Sequence, residues 1–337
     1  MTIGIDPLRA SINAYCAEIG ADPLLVQGAG GNVSWKSKDT LWVKASGTWL
    51  ADATENDIFI PVDLITLREA INQGNFSVVP TVKGESTLKP SIETLLHALM
   101  PYPIVVHLHA VEVLAHLVRL HCEDGLNLLS REVLPWAIVD YFKPGGQLAA
   151  AVNDALRRGS FIKVVFLKNH GVVIGGYSIH EIDGTMKRLI SDLTNKKAHD
   201  PVFTSQTSPL DEYKPVNDET LHLLAQDPEL FERLQSSWAL YPDHIVFLGP
   251  RAHCYNSWAD FSNARSSTGD LPELVFIRGT GVFTTANFSK AKVAQLRCYY
   301  DVLRRQTKDT HLTTLSSHQT SELLNWDAEK HRISLQN

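Results

Sequence analysis

"IVVHLHAVEVLAHL", residues 104–117, sets two histidines, His107 and His109, one residue apart in an apolar, β-branched run. Pro101 and Pro103 close the helical pattern before it, so the run reads as a strand. In a strand, residues i and i+2 share a face. The two imidazoles therefore stand side by side, about 7 Å apart at Cα, within reach of one metal ion. On a helix the same spacing would send them to nearly opposite sides. A core strand has no use for two imidazoles, and the rest of the chain has to supply one.

His170 offers a third ring. It lies in "LKNHGVVIGG", after the apolar run "VVFL" and directly before Gly171, the end of a strand and the start of a tight turn. Three neutral imidazoles with open positions suit a catalytic zinc or a similar divalent ion. Glu93 adds a carboxylate one element upstream. It is placed in the first turn of a helix whose Ile92, Leu95, Leu96 and Leu99 recur on one face. A helix dipole favours an acid there, and so does use as an acid/base beside a metal. His97, one turn on, reads as structural.

Upstream, "NVSWK" and "TLWVK" form a hairpin flanked by two small-residue loops, "GAGGN" (28–32) and "ASGT" (45–48). Such loops let backbone N–H groups approach an anion or a polyol. The dinucleotide fingerprint fails, because Val33 stands where its last glycine belongs. Residues 7–19 read as a helix with Asp6 as N-cap, and 61–73 and 145–158 as further helices. "FIKVVFLKNHGVVIGGYS" reads as strand, turn and strand, followed by a helix over 179–196. The Pro-, Ser- and Thr-rich stretch 199–217, "HDPVFTSQTSPLDEYKPVN", reads as a linker. Beyond it come a helical stretch at 218–238, the apolar runs "HIVFLGP" and "LVFIRGTGVFTT", and a helix near 288–306. The predicted organisation is a metal-dependent domain over 1–198, a linker over 199–217 and a small α/β unit over 218–337.

The formal net charge of −6 gives no electrostatic ground for nucleic acid or an anionic membrane surface. Four scattered cysteines without a CxxC pair point to a reducing compartment rather than a disulfide framework. With no leader-like start and no long apolar run, the expectation is a soluble cytoplasmic protein.

The order of these pieces resembles the class II aldolase/adducin family: a Gly-rich loop ending in Asn32, "SG" at 46–47, "PSIE" at 90–93, the H-x-H pair and "NHG" at 169–171. The wording is similar to the aldolase part of long chains that fuse a rhamnulose-phosphate aldolase-like half to a short-chain dehydrogenase. The resemblance implies a three-layer α/β/α domain with a mainly antiparallel central sheet, followed by the smaller α/β unit. It implies a divalent metal, usually zinc, on His107, His109 and His170, and Glu93 as acid/base. Gly31, Asn32, Ser46, Gly47 and Ser91 fall on substrate-binding positions. Tyr141, in "VDYFKPGG", is a candidate for the second acid. The departures are Ala29 and Gly30 in the first loop and Ser91-Ile92 before the glutamate, which remove potential phosphate hydrogen bonds. The implied activity is retro-aldol cleavage of a ketose or ketose phosphate through a metal-bound enediolate, in a homo-oligomer, with a tetramer favoured. An epimerase, dehydratase or decarboxylase using the same metal site, or a non-catalytic adducin-like interaction module, is the alternative.

Overall fold

The computed structural model describes residues 7–194, 207–268, 271–328 and 330. Asp6 and residues 199–206 of the stretch read as a linker lie outside them. A seven-stranded sheet organises the N-terminal half. Its strands are β1 (Asn32–Ser37), β2 (Thr40–Lys44), β3 (Phe59–Asp63), β4 (Ile104–Leu108), β5 (Trp136–Val139), β6 (Val164–Leu167) and β7 (Gly171–Gly176), in the spatial order β3-β2-β1-β4-β7-β6-β5. Every neighbouring pair is antiparallel except β5 and β6.

The two-residue period sorts side chains into two cores. Ile104, Val106 and Leu108 join Phe166 and Ile174 on one face, under helices α1 (Pro7–Gly20) and α7 (Ile179–Leu193). Val105, Val165 and Val173 point the other way, against α3 (Thr94–Leu99) and α6 (Gly146–Arg158). Helix α2 (Leu64–Asn72) covers β2 and β3 on that same side. This is a three-layer α/β/α unit. His107 shares the parity of Val105, so its ring enters the α3 side of the sheet, where a carboxylate from the α3 segment can meet it.

Two local readings are corrected. The helix expected over 61–73 begins only at Leu64, and residues 59–63 are the edge strand β3. Pro61 is tolerated there because β3 is the edge strand of the sheet. Asp63 then caps α2 by accepting from the N–H groups of Ile65 and Thr66. Helix α3 starts at Thr94 rather than before Ile92, and Glu93 occupies its N-cap position without a side-chain cap bond. Its carboxylate is free to be used elsewhere.

The C-terminal half is built on a second sheet, with strands β8 (Lys214–Pro215), β9 (Cys254–Tyr255), β10 (Leu274–Ile277) and β11 (Gly281–Thr284) in the order β8-β11-β10-β9. Lys214–Pro215, at the end of the stretch read as a linker, pairs with β11. Short helices α8 (Leu223–Gln226) and α9 (Pro228–Ser236) fill the stretch read as helical from 218, and "HIVFLGP" is helical within α10 (Pro242–Leu248). Helix α12 (Lys290–Arg304) packs on α10.

The two halves share a core. Helix α4 (Val111–Leu117), which follows the H-x-H strand, gives Val113 and Leu117 to the sheet core. It gives Val111, Leu114 and Ala115 to the C-terminal core, beside Leu240, Tyr299 and Leu303. A helix with apolar side chains on opposite faces has to be covered on both. Polar ties reinforce the junction. Arg305 Nε donates to Glu112 Oε1 at 2.8 Å, and Asn169 Nδ2 donates to Leu240 O at 2.8 Å and Thr313 O at 2.7 Å. Asn169 is 3% exposed and left-handed, at φ 52°, a backbone region asparagine tolerates. Asn169→Ala removes both donors and leaves two carbonyls short of a partner. It is expected to lower stability by about 2–4 kcal/mol, read as a fall in denaturation midpoint; a change below about 0.5 kcal/mol, the scale of an ordinary surface substitution, would refute that role.

Candidate metal centre

The predicted trio meets. One ligand nitrogen from each of His107, His109 and His170 lies within 4.8 Å of the other two. Ring centroids are 5.1 Å apart for His107–His109, 4.9 Å for His107–His170 and 5.3 Å for His109–His170. The sequence achieves this through register. His107 lies in β4 opposite Val173 of β7, His109 lies just past the end of β4, and His170 ends the turn that joins β6 to β7.

Gly171 makes the approach possible. A Cβ at that position would sit 2.4 Å from Leu108 O, 3.1 Å from His109 Cδ2 and 3.2 Å from His107 Cε1. The glycine is thus needed for closeness, and its backbone lies in an ordinary region. Gly171→Ala is expected to push β4 away, lowering stability by about 1–3 kcal/mol and weakening metal binding in the same variant. Calorimetry and metal titration would check it, and wild-type values in both would refute the packing argument.

Glu93 faces the trio. Its Oε1 lies 3.5 Å from His107 Nε2 and 3.3 Å from His170 Nε2. His107 Nδ1 lies 3.1 Å from Val172 O. With Nδ1 donating, Nε2 keeps its lone pair. Burial holds the His107 imidazole below its ordinary pKa, opposed by the Glu93 charge and assisted by His109. A neutral ring is the ligating form. Glu93 Oε1 and His107 Nε2 are buried and make no hydrogen bond. An orphaned His107 nitrogen within a three-imidazole cluster, with a carboxylate beside it, fits a divalent cation held by the three rings.

His109 and His170 open on a small cleft continuous with solvent. Gly31, Ser46, Gly47, Ser91 and Glu93 all line it, with His109 and His170. Asn32 is buried beside Gly31, opposite His107 in the β1–β4 pairing, but is not on the cleft wall. Tyr141 is not brought to that wall either; its ring packs against the C-terminal core. His97 is fully buried, its Nδ1 2.7 Å from Ser34 Oγ, and lies outside the trio.

Two charged lining residues were not singled out from the sequence. Lys44, 2% exposed, donates to Ala29 O at 2.9 Å and Thr48 O at 2.7 Å, tying the two small-residue loops together. Asp243, from α10, is the other. Neither belongs to a spaced motif. The one available signal for Lys44 was a lysine closing an otherwise apolar strand, next to "ASG".

Fold, trio and loop order agree with the match to a family model: residues 11–188 fit the class II aldolase and adducin N-terminal domain. The chain belongs to that family. It is 31% identical over 171 residues to an L-fuculose phosphate aldolase of Methanococcus maripaludis, a match covering 48% of this chain and 80% of that protein. It is 27% identical over 176 residues to the uncharacterized oxidoreductase YuxG of Bacillus subtilis, covering 47% of this chain but only 25% of YuxG. A match confined to a quarter of a protein named as an oxidoreductase agrees with the likeness to the aldolase part of an aldolase–dehydrogenase fusion. Among solved structures, the N-terminal class II aldolase domain of a conserved protein from Thermoplasma acidophilum matches with 24% identity and a TM-score of 0.48, covering 57% of this chain and 95% of that one. No helix among the described residues is long and apolar enough to cross a membrane.

Proposed function

We propose that the chain is a metal-dependent lyase that cleaves a ketose or ketose phosphate by retro-aldol chemistry. The observation that carries the reading is the convergence of three imidazoles and one carboxylate, from separate segments, at the floor of a polar cleft. His107, His109 and His170 would hold the ion, and zinc suits three neutral nitrogens. When bound, such an ion supplies Lewis-acid stabilisation of negative charge on the substrate's carbonyl oxygen.

Glu93 is placed to deliver a proton to the carbon released by C–C cleavage, since its carboxylate borders the same point as the ligand nitrogens. Gly31, Ser46, Gly47 and Ser91 offer backbone and hydroxyl groups to the rest of the substrate. Lys44 adds positive charge to the wall between the loops, which favours an anionic or heavily hydroxylated end. The proton at the aldehyde oxygen needs a second group. No tyrosine lines the cleft among the described residues, and Tyr141→Phe tests the tyrosine considered for that step.

The same apparatus serves an epimerase, a dehydratase or a decarboxylase, so product identity decides among them. The assay is to load the metal-free protein with zinc, manganese or cobalt and incubate it with ketoses with and without a phosphate ester. An aldehyde and a three-carbon ketone or its phosphate are the expected products. A protein that takes up no divalent ion would sink the lyase and leave an interaction module as the reading. The division into 1–198 and 218–337, a homo-oligomeric assembly and a cytoplasmic setting belong to the same proposal.

A further inference from the structure

We infer that Asp243, supplied by the C-terminal half of the chain, is a positioning residue for the metal ligand His109. The inference rests on the metal-site reading above. It concerns a residue outside the segment that matches the family model.

Asp243 is 3% exposed and lies in the first turn of α10. Its Oδ2 is 3.4 Å from His109 Nδ1 and 3.4 Å from Nε2 of Gln295, itself 1% exposed on α12. A buried carboxylate needs compensating partners, and here they are an imidazole and an amide. A first-turn acid is also favoured by the helix dipole. That role is met equally well at the surface, and does not call for a carboxylate aimed at a ligand histidine.

The space between the two side chains is built. Gly30 lies directly beside them, where a Cβ would come 3.2 Å from Asp243 Oδ2, 3.4 Å from His109 Nδ1 and 2.9 Å from Gln27 O. The glycine-rich loop thus leaves room for the carboxylate to stand against the ring. A ligating imidazole generally donates its second N–H to a carboxylate or a carbonyl, which fixes both tautomer and ring orientation. His107 does this with Val172 O. Asp243 would do it for His109, whose buried Nδ1 has no hydrogen-bond partner and lies 3.4 Å from Oδ2, keeping the proton on Nδ1 and the Nε2 lone pair for the ion.

The test compares full-length wild type, Asp243→Asn and Asp243→Ala. Metal-free protein is titrated with cobalt(II) while the visible d–d bands are recorded, and zinc affinity is measured by competition with a chelating dye. The prediction is about 10- to 100-fold weaker binding for Asp243→Ala, a smaller loss for Asp243→Asn, whose amide oxygen still accepts, and altered d–d bands in both. Unchanged affinity and bands in the variants, with wild type binding normally, would overturn this inference alone. Wild type binding neither ion would overturn the metal site and this inference together. Should the alanine variant fail to fold, the isosteric asparagine variant, with wild-type circular dichroism, decides by the same two readouts.

Discussion

His170→Ala is expected to weaken divalent-metal binding more than about 100-fold, beyond the loss typical of changes to groups that merely orient a ligand. Three nitrogens would become two, and the remaining pair, both from the end of β4, approaches the ion from one side only. The fold should survive. His170 ends a turn whose geometry depends on the left-handed Asn169 and on Gly171, and its ring is outside the apolar clusters. Equilibrium dialysis with elemental analysis reads the metal, and circular dichroism reads the fold. His97→Ala is the matched control. That ring is as buried as the ligands, yet it is bound to Ser34 and not to the trio. Its loss should lower stability by about 1–3 kcal/mol while leaving metal uptake within a few-fold of wild type. Equal metal loss in both variants would mean that the trio is a packing feature.

Glu93→Gln is expected to give the opposite pattern: metal retained and turnover lost. The amide has the size of the carboxylate and leaves all three imidazoles in place, so affinity should change less than about tenfold, below the range for outer-shell partners. Proton transfer by a positioned side chain contributes about 10²–10⁴ to rate, and kcat should fall by that factor with KM little altered. The measurement is steady-state cleavage of whichever ketose the screen identifies, on variants loaded to equal metal content. A kcat within about threefold of wild type, far short of that factor, would remove Glu93 from the chemistry.

What the sequence disclosed depends on the range over which each signal acts. The β4 strand and its paired histidines were legible because a two-residue period and a β-branched run are local. The hairpin of β1 and β2 was legible for the same reason. Strand β3 was read as the start of a helix because its five residues run directly into α2, and only pairing with β2 distinguishes them. Strand β5, only four residues long and starting directly after Pro135, carries no alternation long enough to notice. That His170 joins His107 and His109 depends on β7 pairing with β4, a contact between distant segments for which the likeness of motif order stood in. Lys44 and Asp243 were out of reach for a sharper reason. Lys44 is stabilised by carbonyls of Ala29 and Thr48, and Asp243 by His109 and Gln295. Neither partnership leaves a trace in residue spacing.

The two-sided burial of α4 bears on how the chain may be handled. A fragment ending near residue 198 would strip the cover from Val111, Leu114, Ala115 and Val118, none more than 1% exposed in the intact chain. It would also free the main-chain groups of Val118 and Leu120, which now bond to Thr313 and His311. Such a fragment would carry a sticky flank immediately behind the histidine strand and would tend to self-associate. Expression and crystallisation efforts should therefore keep both halves on one polypeptide.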